Sequence, residues 1–175
     1  MTAADIEALF RAHHAGLVRY LARRLGDRDW AEEVAQETFL RALRTPPATN
    51  ARSWLFAVAT NLVRVQGRLL AARRALLVQL AASEREREAA QPTAEDRMVR
   101  AHEALLARRA LEGLAERDRE ALLLKEEGLD YHEIAEALGL SVGSVGTTLA
   151  RARRRLAECY EAARAAMEGR RDVAG

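Results

Sequence analysis

Residues 128–156 read GLDYHEIAEALGLSVGSVGTTLARARRRL, and the local chemistry of this stretch specifies two short helices meeting at a turn. Asp130 precedes an apolar-periodic run and Glu133 follows it by three, so each side chain can bond the other's backbone N–H in a capping box. Leu129 and Ile134 flank the same start as a hydrophobic staple. Gly139 closes the helix, because glycine takes the left-handed conformation after a C-terminus without steric cost. Ser141 is placed to cap the next helix. Ala135, Gly139 and Val145 then supply the small residue, turn glycine and apolar anchor that a helix-turn-helix needs.

In the second of these helices Val145, Leu149, Ala152 and Leu156 repeat at helical spacing and define a buried side. The candidate nucleic-acid face is Ser141, Gly143, Ser144, Gly146, Thr147, Thr148, Arg151, Arg154 and Arg155. Short hydroxyl side chains near the start can approach base edges in the major groove, and the arginines further along can reach phosphates. Each glycine within a helix costs roughly 1 kcal/mol relative to alanine, which close approach of backbone to DNA would offset. The arginines alone read equally as a solvated helix end that complements the helix dipole.

Outward from this motif, the 175 residues allow one ordinary domain or two small helical ones. Ala, Leu, Arg and Glu dominate, aromatics make up 5%, and only Pro46, Pro47 and Pro92 interrupt the chain, so the expected fold is all-α. Leu9, Leu17, Leu21 and Leu25, widened by Phe10, mark a first helix that ends at Gly26 and Asp27. A second starts with Asp29 as cap and Glu32 three residues on, passes Val34, Phe39, Leu40 and Leu43, and stops at Pro46 and Pro47. Asn50 caps a third, from Ala51 to about Arg74, with Leu55, Ala59, Leu62 and Leu69 on one side. Residues 83–97 are dense in charge and poor in apolar side chains, which makes them a flexible linker. Further helices start near Met98, with Leu105, Leu106, Leu111 and Leu114, and then Leu122, Leu123 and Leu124. The expected organisation is a domain over 1–76, a linker over 77–100, a second domain over 101–168 and a disordered tail over 169–175.

The net charge is only +2, but its placement is uneven: Arg151, Arg153, Arg154 and Arg155 cluster while Glu84, Glu86 and Glu88 crowd the middle. Such segregation suits a nucleic-acid partner for one part of the chain. Cys159 stands alone, which rules out an intramolecular disulfide and a cysteine-built metal cluster. Met1 to Phe10 lacks the basic-then-apolar order of a signal peptide, and arginine recurs too often for a bilayer span, so a cytoplasmic protein without membrane insertion is expected. His132 and Glu133 begin a zinc-protease motif, but Glu136 stands where its second histidine is required. Gly139, Gly143 and Gly146 match neither nucleotide-loop pattern and follow no strand. His13 lies on the first apolar stripe as a packed or edge residue, and His14 reads as exposed. No nucleophile, base and orienter set emerges, so no catalytic residue, metal or cofactor is expected and the chain is not read as an enzyme.

The segments Leu-Ala-Glu-Arg-Asp-Arg-Glu-Ala-Leu (114–122), Ala-Glu-Glu-Val-Ala-Gln-Glu-Thr-Phe (31–39) and Ala-Arg-Ser-Trp-Leu-Phe-Ala-Val-Ala-Thr-Asn (51–61) carry a resemblance. Together with the helix-turn-helix they resemble the two domains of extracytoplasmic-function sigma factors, in the expected order. The resemblance implies a region 2 helical bundle and a region 4 helix-turn-helix. Its implied partners are core RNA polymerase through the clamp and flap regions, promoter DNA, and an anti-sigma factor. The promoter would be met as duplex at the upstream (−35) element and as single strand at the downstream (−10) element.

On the same ground Val34, Gln36, Glu37 and Leu40 would dock on the polymerase clamp, and Pro47, Asn50, Arg52, Trp54, Asn61, Arg64 and Arg68 would meet the downstream element. The loop from Pro47 to Asn50 would wall a pocket for a flipped-out base. Spacing is compatible with this: Trp54, Asn61 and Arg68 share a helix face with Arg64 beside them, and stacking on an unpaired base is worth about 1–3 kcal/mol. Trp54 reads equally as core. The chain departs from the family at Val65, where aspartate is usual, and at Gly146 and Thr148, where basic residues are common. A conventional repressor or activator sharing the helix-turn-helix is the rival reading, and it leaves the segments at 31–39 and 51–61 unexplained.

Overall fold

The computed structural model describes the backbone of residues 3–47, 50–77 and 94–171, with side chains described within 5–47, 50–65 and 102–167. The described residues form seven helices and no strand: α1 (Ala3–Leu25), α2 (Arg28–Arg44), α3 (Ala51–Leu77), α4 (Ala94–Glu112), α5 (Glu116–Glu126), α6 (Tyr131–Leu138) and α7 (Val142–Arg171). The chain is all-α, as its composition dictates. Within the expected linker, residues 78–93 lie outside the described residues, and α4 already begins at Ala94. Residues 172–175 of the expected tail also lie outside them.

Local chemistry fixes most helix ends. Gly26 takes a φ of 71° and returns its N–H to the Ala22 carbonyl at 2.8 Å, closing α1. The cap of α2 is Asp27 and not Asp29: Asp27 has extended backbone and its Oδ1 accepts the Trp30 N–H at 3.0 Å. Asp29 instead lies in the first turn, where its charge favours the helix N-terminus. Asn50 caps α3 as expected, its Oδ1 accepting from the N–H groups of Arg52 at 2.9 Å and Ser53 at 3.3 Å. Both halves of the α6 capping box form, with Glu133 N–H donating to Asp130 Oδ1 at 2.8 Å and Asp130 N–H to Glu133 Oε2 at 2.9 Å. Gly139 is left-handed with φ 64°, and the staple residues Leu129 and Ile134 are wholly buried.

The first three helices form a bundle around Leu17 and Leu21 of α1, Val34 and Phe39 of α2, and Leu55, Phe56 and Leu62 of α3. Tyr20 is buried among them, edge-on to Phe56 at 5.4 Å between ring centroids, and its hydroxyl pairs with Thr60 Oγ1 at 2.8 Å. Burial, and then the charge of Glu120, push the Tyr20 phenol up to about 12. In the second block α5, α6 and α7 pack around Leu124, Ile134, Val145 and Leu149, while α4 lies along α7 through Leu106 and Ala110. Gly113 marks how closely the end of α4 meets α7, since a Cβ there would stand 2.7 Å from Cys159 Sγ. The two blocks touch, α6 against α3 and α5 against α1.

A Gly139→Ala substitution forces a Cβ into the left-handed region and is expected to cost about 1 kcal/mol, whereas Gly139→Asn should cost less because asparagine tolerates that conformation. Urea denaturation midpoints should therefore rank glycine above asparagine above alanine. Equal midpoints would remove the backbone argument for the turn.

Candidate nucleic-acid interface

The start of α7 presents a short, polar surface. Ser141 Oγ donates to Ser144 Oγ at 3.1 Å, Ser144 Oγ donates to the Ser141 carbonyl at 2.8 Å, and Thr147 Oγ1 donates to the Ser144 carbonyl at 2.9 Å. Ser141, Gly143 and Thr147 are exposed, and a Cβ on Gly143 would meet nothing within 4 Å, so backbone here is open to close approach. Gly146 instead faces Tyr131 of α6, whose ring carbon lies 3.6 Å from an added Cβ. Thr148 also departs from its expected place. It is only 5% exposed and lies on the inner side with Val145, Leu149 and Ala152, at spacings of three, four and seven that one helix face shares.

The arginines extend this outer face. Arg154 and Arg155 are exposed, and Arg155 Nη1 pairs with Glu158 Oε2 at 3.0 Å. Arg151 is gripped at both ends of its fork by buried Asp118 of α5, Nε to Oδ2 at 2.9 Å and Nη2 to Oδ1 at 2.5 Å. The hydrogen bond from Arg151, more than burial opposes it, holds the Asp118 carboxyl below the usual aspartate range. The guanidinium is thus oriented while half its side chain stays in solvent. Asp118 had no signal of its own in the sequence beyond its place in the 114–122 segment.

On α3 and the residues before it, the expected downstream-element residues divide. Asn61 is exposed, Pro47 half-buried, and Trp54 half-buried against the core, an intermediate between the stacking and packing readings. The Arg68 side chain and residues 48 and 49 lie outside what is described. Asn50, Arg52 and Arg64 turn toward the second block. Asn50 Nδ2 donates to Glu133 Oε1 at 3.1 Å, and Arg52 donates to the carbonyls of Glu127 and, at 3.3 Å, Gly128. Arg64 holds Glu120 with Nε to Oε1 at 3.3 Å and Nη2 to Oε2 at 2.5 Å. His13, beside Arg52, is held below the usual histidine range by burial and then by that arginine's charge.

The α2 surface sorts by helix geometry. Val34 is 1% exposed and belongs to the core, while Leu40 and Leu43 stand 47% and 51% exposed. Positions 34 and 40 lie about 240° apart at 3.6 residues per turn, so they cannot share a surface. Gln36 is exposed and half-buried Glu37 accepts from Arg41 Nε at 2.8 Å. His14, expected in solvent, stacks on Phe10 at 4.2 Å and meets Glu32 at 3.3 Å. Phe10, which widens the first apolar stripe, in turn lies 5.0 Å from Phe39 of α2. Among the described residues no cluster of His, Cys, Asp or Glu is arranged to hold a metal ion, and no helix is long and apolar enough to cross a membrane.

Comparison with known proteins places both blocks. The sigma-70 region 2 family matches residues 9–68, and the sigma-70 region 4 family matches residues 104–156. The ferric citrate uptake sigma factor FecI of Escherichia coli is 34% identical over 83% of this chain and 85% of its own length. The RNA polymerase sigma factor YlaC of Bacillus subtilis is 31% identical over 85% of this chain and 88% of its own. In fold, the chain superimposes with a TM-score of 0.67 on the sigma factor RpoE solved with the anti-sigma factor NepR from Bartonella quintana, at 22% identity over 90% of this chain and 97% of that one.

The depressed Asp118 carboxyl has a stability consequence whose sign is fixed. Its contribution is complete above the ordinary aspartate value and is lost as pH falls through the lower folded value. Asp118→Asn should lower the thermal midpoint near neutrality, and the gap to the parent should close below about pH 4. A gap that persists unchanged in acid would show that charge is not what the pair contributes.

Proposed function

The chain belongs to the extracytoplasmic-function sigma factors, and from that premise we propose that it binds core RNA polymerase, recognises the upstream element as duplex and the downstream element as single strand, and promotes promoter opening. What carries the proposal is the start of α7, where exposed Ser141, Gly143 and Thr147 lead into a face of arginines on a helix held by a capped helix-turn-helix. A helix N-terminus laid in the major groove puts hydroxyls at base edges and the following arginines at phosphates. Arg151 reaches the backbone already oriented by Asp118, which lowers the conformational cost of the contact.

The first block supplies the single-strand surface. Trp54 offers the uncovered part of its ring for stacking, Asn61 an amide for base edges, and Asn50, Arg52, Arg64 and Arg68 polar and charged partners. Gln36, Glu37 and Leu40, joined by Leu43, form the strip offered to the polymerase clamp, and Val34 supports it from beneath. The apolar groove between α4 and α7, walled by Ala107, Leu111, Leu156 and Tyr160, is the matching surface for the polymerase flap. An anti-sigma factor would regulate the chain, a reading supported by the complex with the anti-sigma factor NepR in which its fold neighbour RpoE was solved. The chain itself performs no bond chemistry, and it acts where polymerase acts, in the cytoplasm.

Run-off transcription with core polymerase and a candidate promoter should give specific starts only when this protein is added; its complete failure to associate with core would sink the proposal. Within such complexes Trp54→Ala should reduce permanganate reactivity of the downstream element far more than it reduces complex formation. Footprints equal to the parent would assign Trp54 to the core alone.

A further inference from the structure

At the join between the two blocks, where α1 and α3 meet the residue that ends α5, lies a cavity of about 210 Å³. Its walls include His13, Gly16 and Arg19 of α1, Arg52 and Phe56 of α3, and Glu127. Pockets for drug-sized ligands start at about 300 Å³ and a water molecule takes up roughly 30 Å³, so this cavity suits a small ion and leaves no room for a nucleotide. Its donors outnumber their acceptors. Arg52 gives Nη1 and Nη2 to two neutral carbonyls, of Gly128 and Glu127. Glu133 of α6 stands 3.6 Å from Arg52 Nη1 and already accepts from Asp130 N–H at 2.9 Å and Asn50 Nδ2 at 3.1 Å. Arg52 Nε and both ring nitrogens of His13 have no hydrogen-bond partner among the described residues.

We propose that this cavity is a binding site for a small divalent oxyanion of phosphate or sulfate size, held by Arg52 and Arg19 with protonated His13 as a third donor. The inference goes beyond the sigma-factor reading and does not depend on it. Guanidinium groups bind tetrahedral oxyanions through charge-assisted hydrogen bonds, the strongest that a polar wall offers. The one carboxylate lining the cavity, Glu127, is already answered from α1, by Arg19 Nη2 at 2.8 Å and Arg23 Nη1 at 3.8 Å. Arg52 therefore carries the charge that is least compensated there.

His13 and Arg52 stand side by side as two basic groups. Burial, and then the Arg52 charge, hold the imidazole below the usual histidine range, while Glu133 pulls the other way. A dianion between them replaces repulsion with two attractions, so His13 takes up a proton as the ion binds. Gly16 keeps the α1 wall open. A Cβ there would already stand 3.4 Å from Glu127 Oε2 and 3.5 Å from Arg19 Nη2, and a longer side chain would reach into the cavity. The bound ion ties α1 and α3 to the turn at Glu127 and Gly128, so docking of the blocks strengthens with oxyanion concentration.

The test titrates the isotopically labelled full-length chain with sodium sulfate, at ionic strength held constant with sodium chloride, and reads amide and histidine ring signals by NMR. Sulfate keeps its two charges across the working pH range, so any pH dependence belongs to the protein. His13→Gln identifies the His13 ring signals among those of the four histidines. The His13 ring and the amides of Gly16 and Arg52 should shift and saturate in the millimolar range, with affinity about ten-fold higher near pH 6 than near pH 8. Gly16→Leu removes no charge and favours helix, and it should weaken binding about ten-fold, as should Arg52→Gln. The arginine variant decides the matter if the leucine variant alters amide signals far from the cavity. Inorganic phosphate should produce the same shifts, and AMP should bind more weakly than either ion. A response to sulfate no different from that to chloride overturns the proposal, as does parental affinity in Arg52→Gln or affinity that ignores pH. Tighter binding of AMP than of phosphate overturns the assignment to a small free ion.

Discussion

Glu120 has none of its surface exposed, and an unpaired carboxylate in such a place would carry a desolvation penalty of several kcal/mol. Its oxygens are neutralised by Arg24 from α1 and Arg64 from α3, so both neutralising charges come from the other block. Neither block can therefore keep this residue both buried and compensated by itself. Docking of the blocks and neutralisation of Glu120 are one event, and the rest of the join is arranged around it. Glu116, one turn earlier on α5, shares Arg24; burial alone would raise its carboxyl, but the bond and charge of Arg24 outweigh that and hold it below the usual range.

The same cluster links the join to the interior of the first block. Tyr20 lies behind it, bonded to Thr60, and its phenol feels the Glu120 charge after the effect of its own burial. The bundle that positions Trp54 and Asn61 thus shares an electrostatic environment with α5. Since α5 also carries Asp118, the helix that grips Arg151 of the proposed reading face is the helix that closes on α3. Both proposed DNA-facing surfaces are referenced to one eleven-residue element.

Features encoded within a few residues were legible before any coordinates. The capping box of Asp130 and Glu133, the left-handed Gly139 and the Asn50 cap each involve partners no more than four positions apart, and all three stand as read. Where two local signals competed, the sequence misled: Asp27 and Asp29 both stand at the start of α2, and the extended backbone at Asp27 makes it the cap while Asp29 is already in the first turn. The hydroxyl of Thr148 suggests the polar face, although its helical position sets it beside Leu149 and Ala152, where it is buried. Val34 was grouped with Leu40 by motif and not by angle. The acidic side of the join was illegible for a simpler reason. Arg19 and Glu127 are 108 residues apart and Arg64 and Glu120 are 56 apart, and no periodicity connects such pairs.

The thirty residues of α7 run as a single helix, about 45 Å at ~1.5 Å of rise per residue. Its early turns rest on α5 and α6, and α4 lies along it. A stiff rod supported in this way behaves as a lever with its fulcrum in the core. A protein wedged between α4 and the rod at Tyr160 would tilt the tip at Ser144, so the aim of the proposed base-reading end is mechanically tied to whatever occupies the far one.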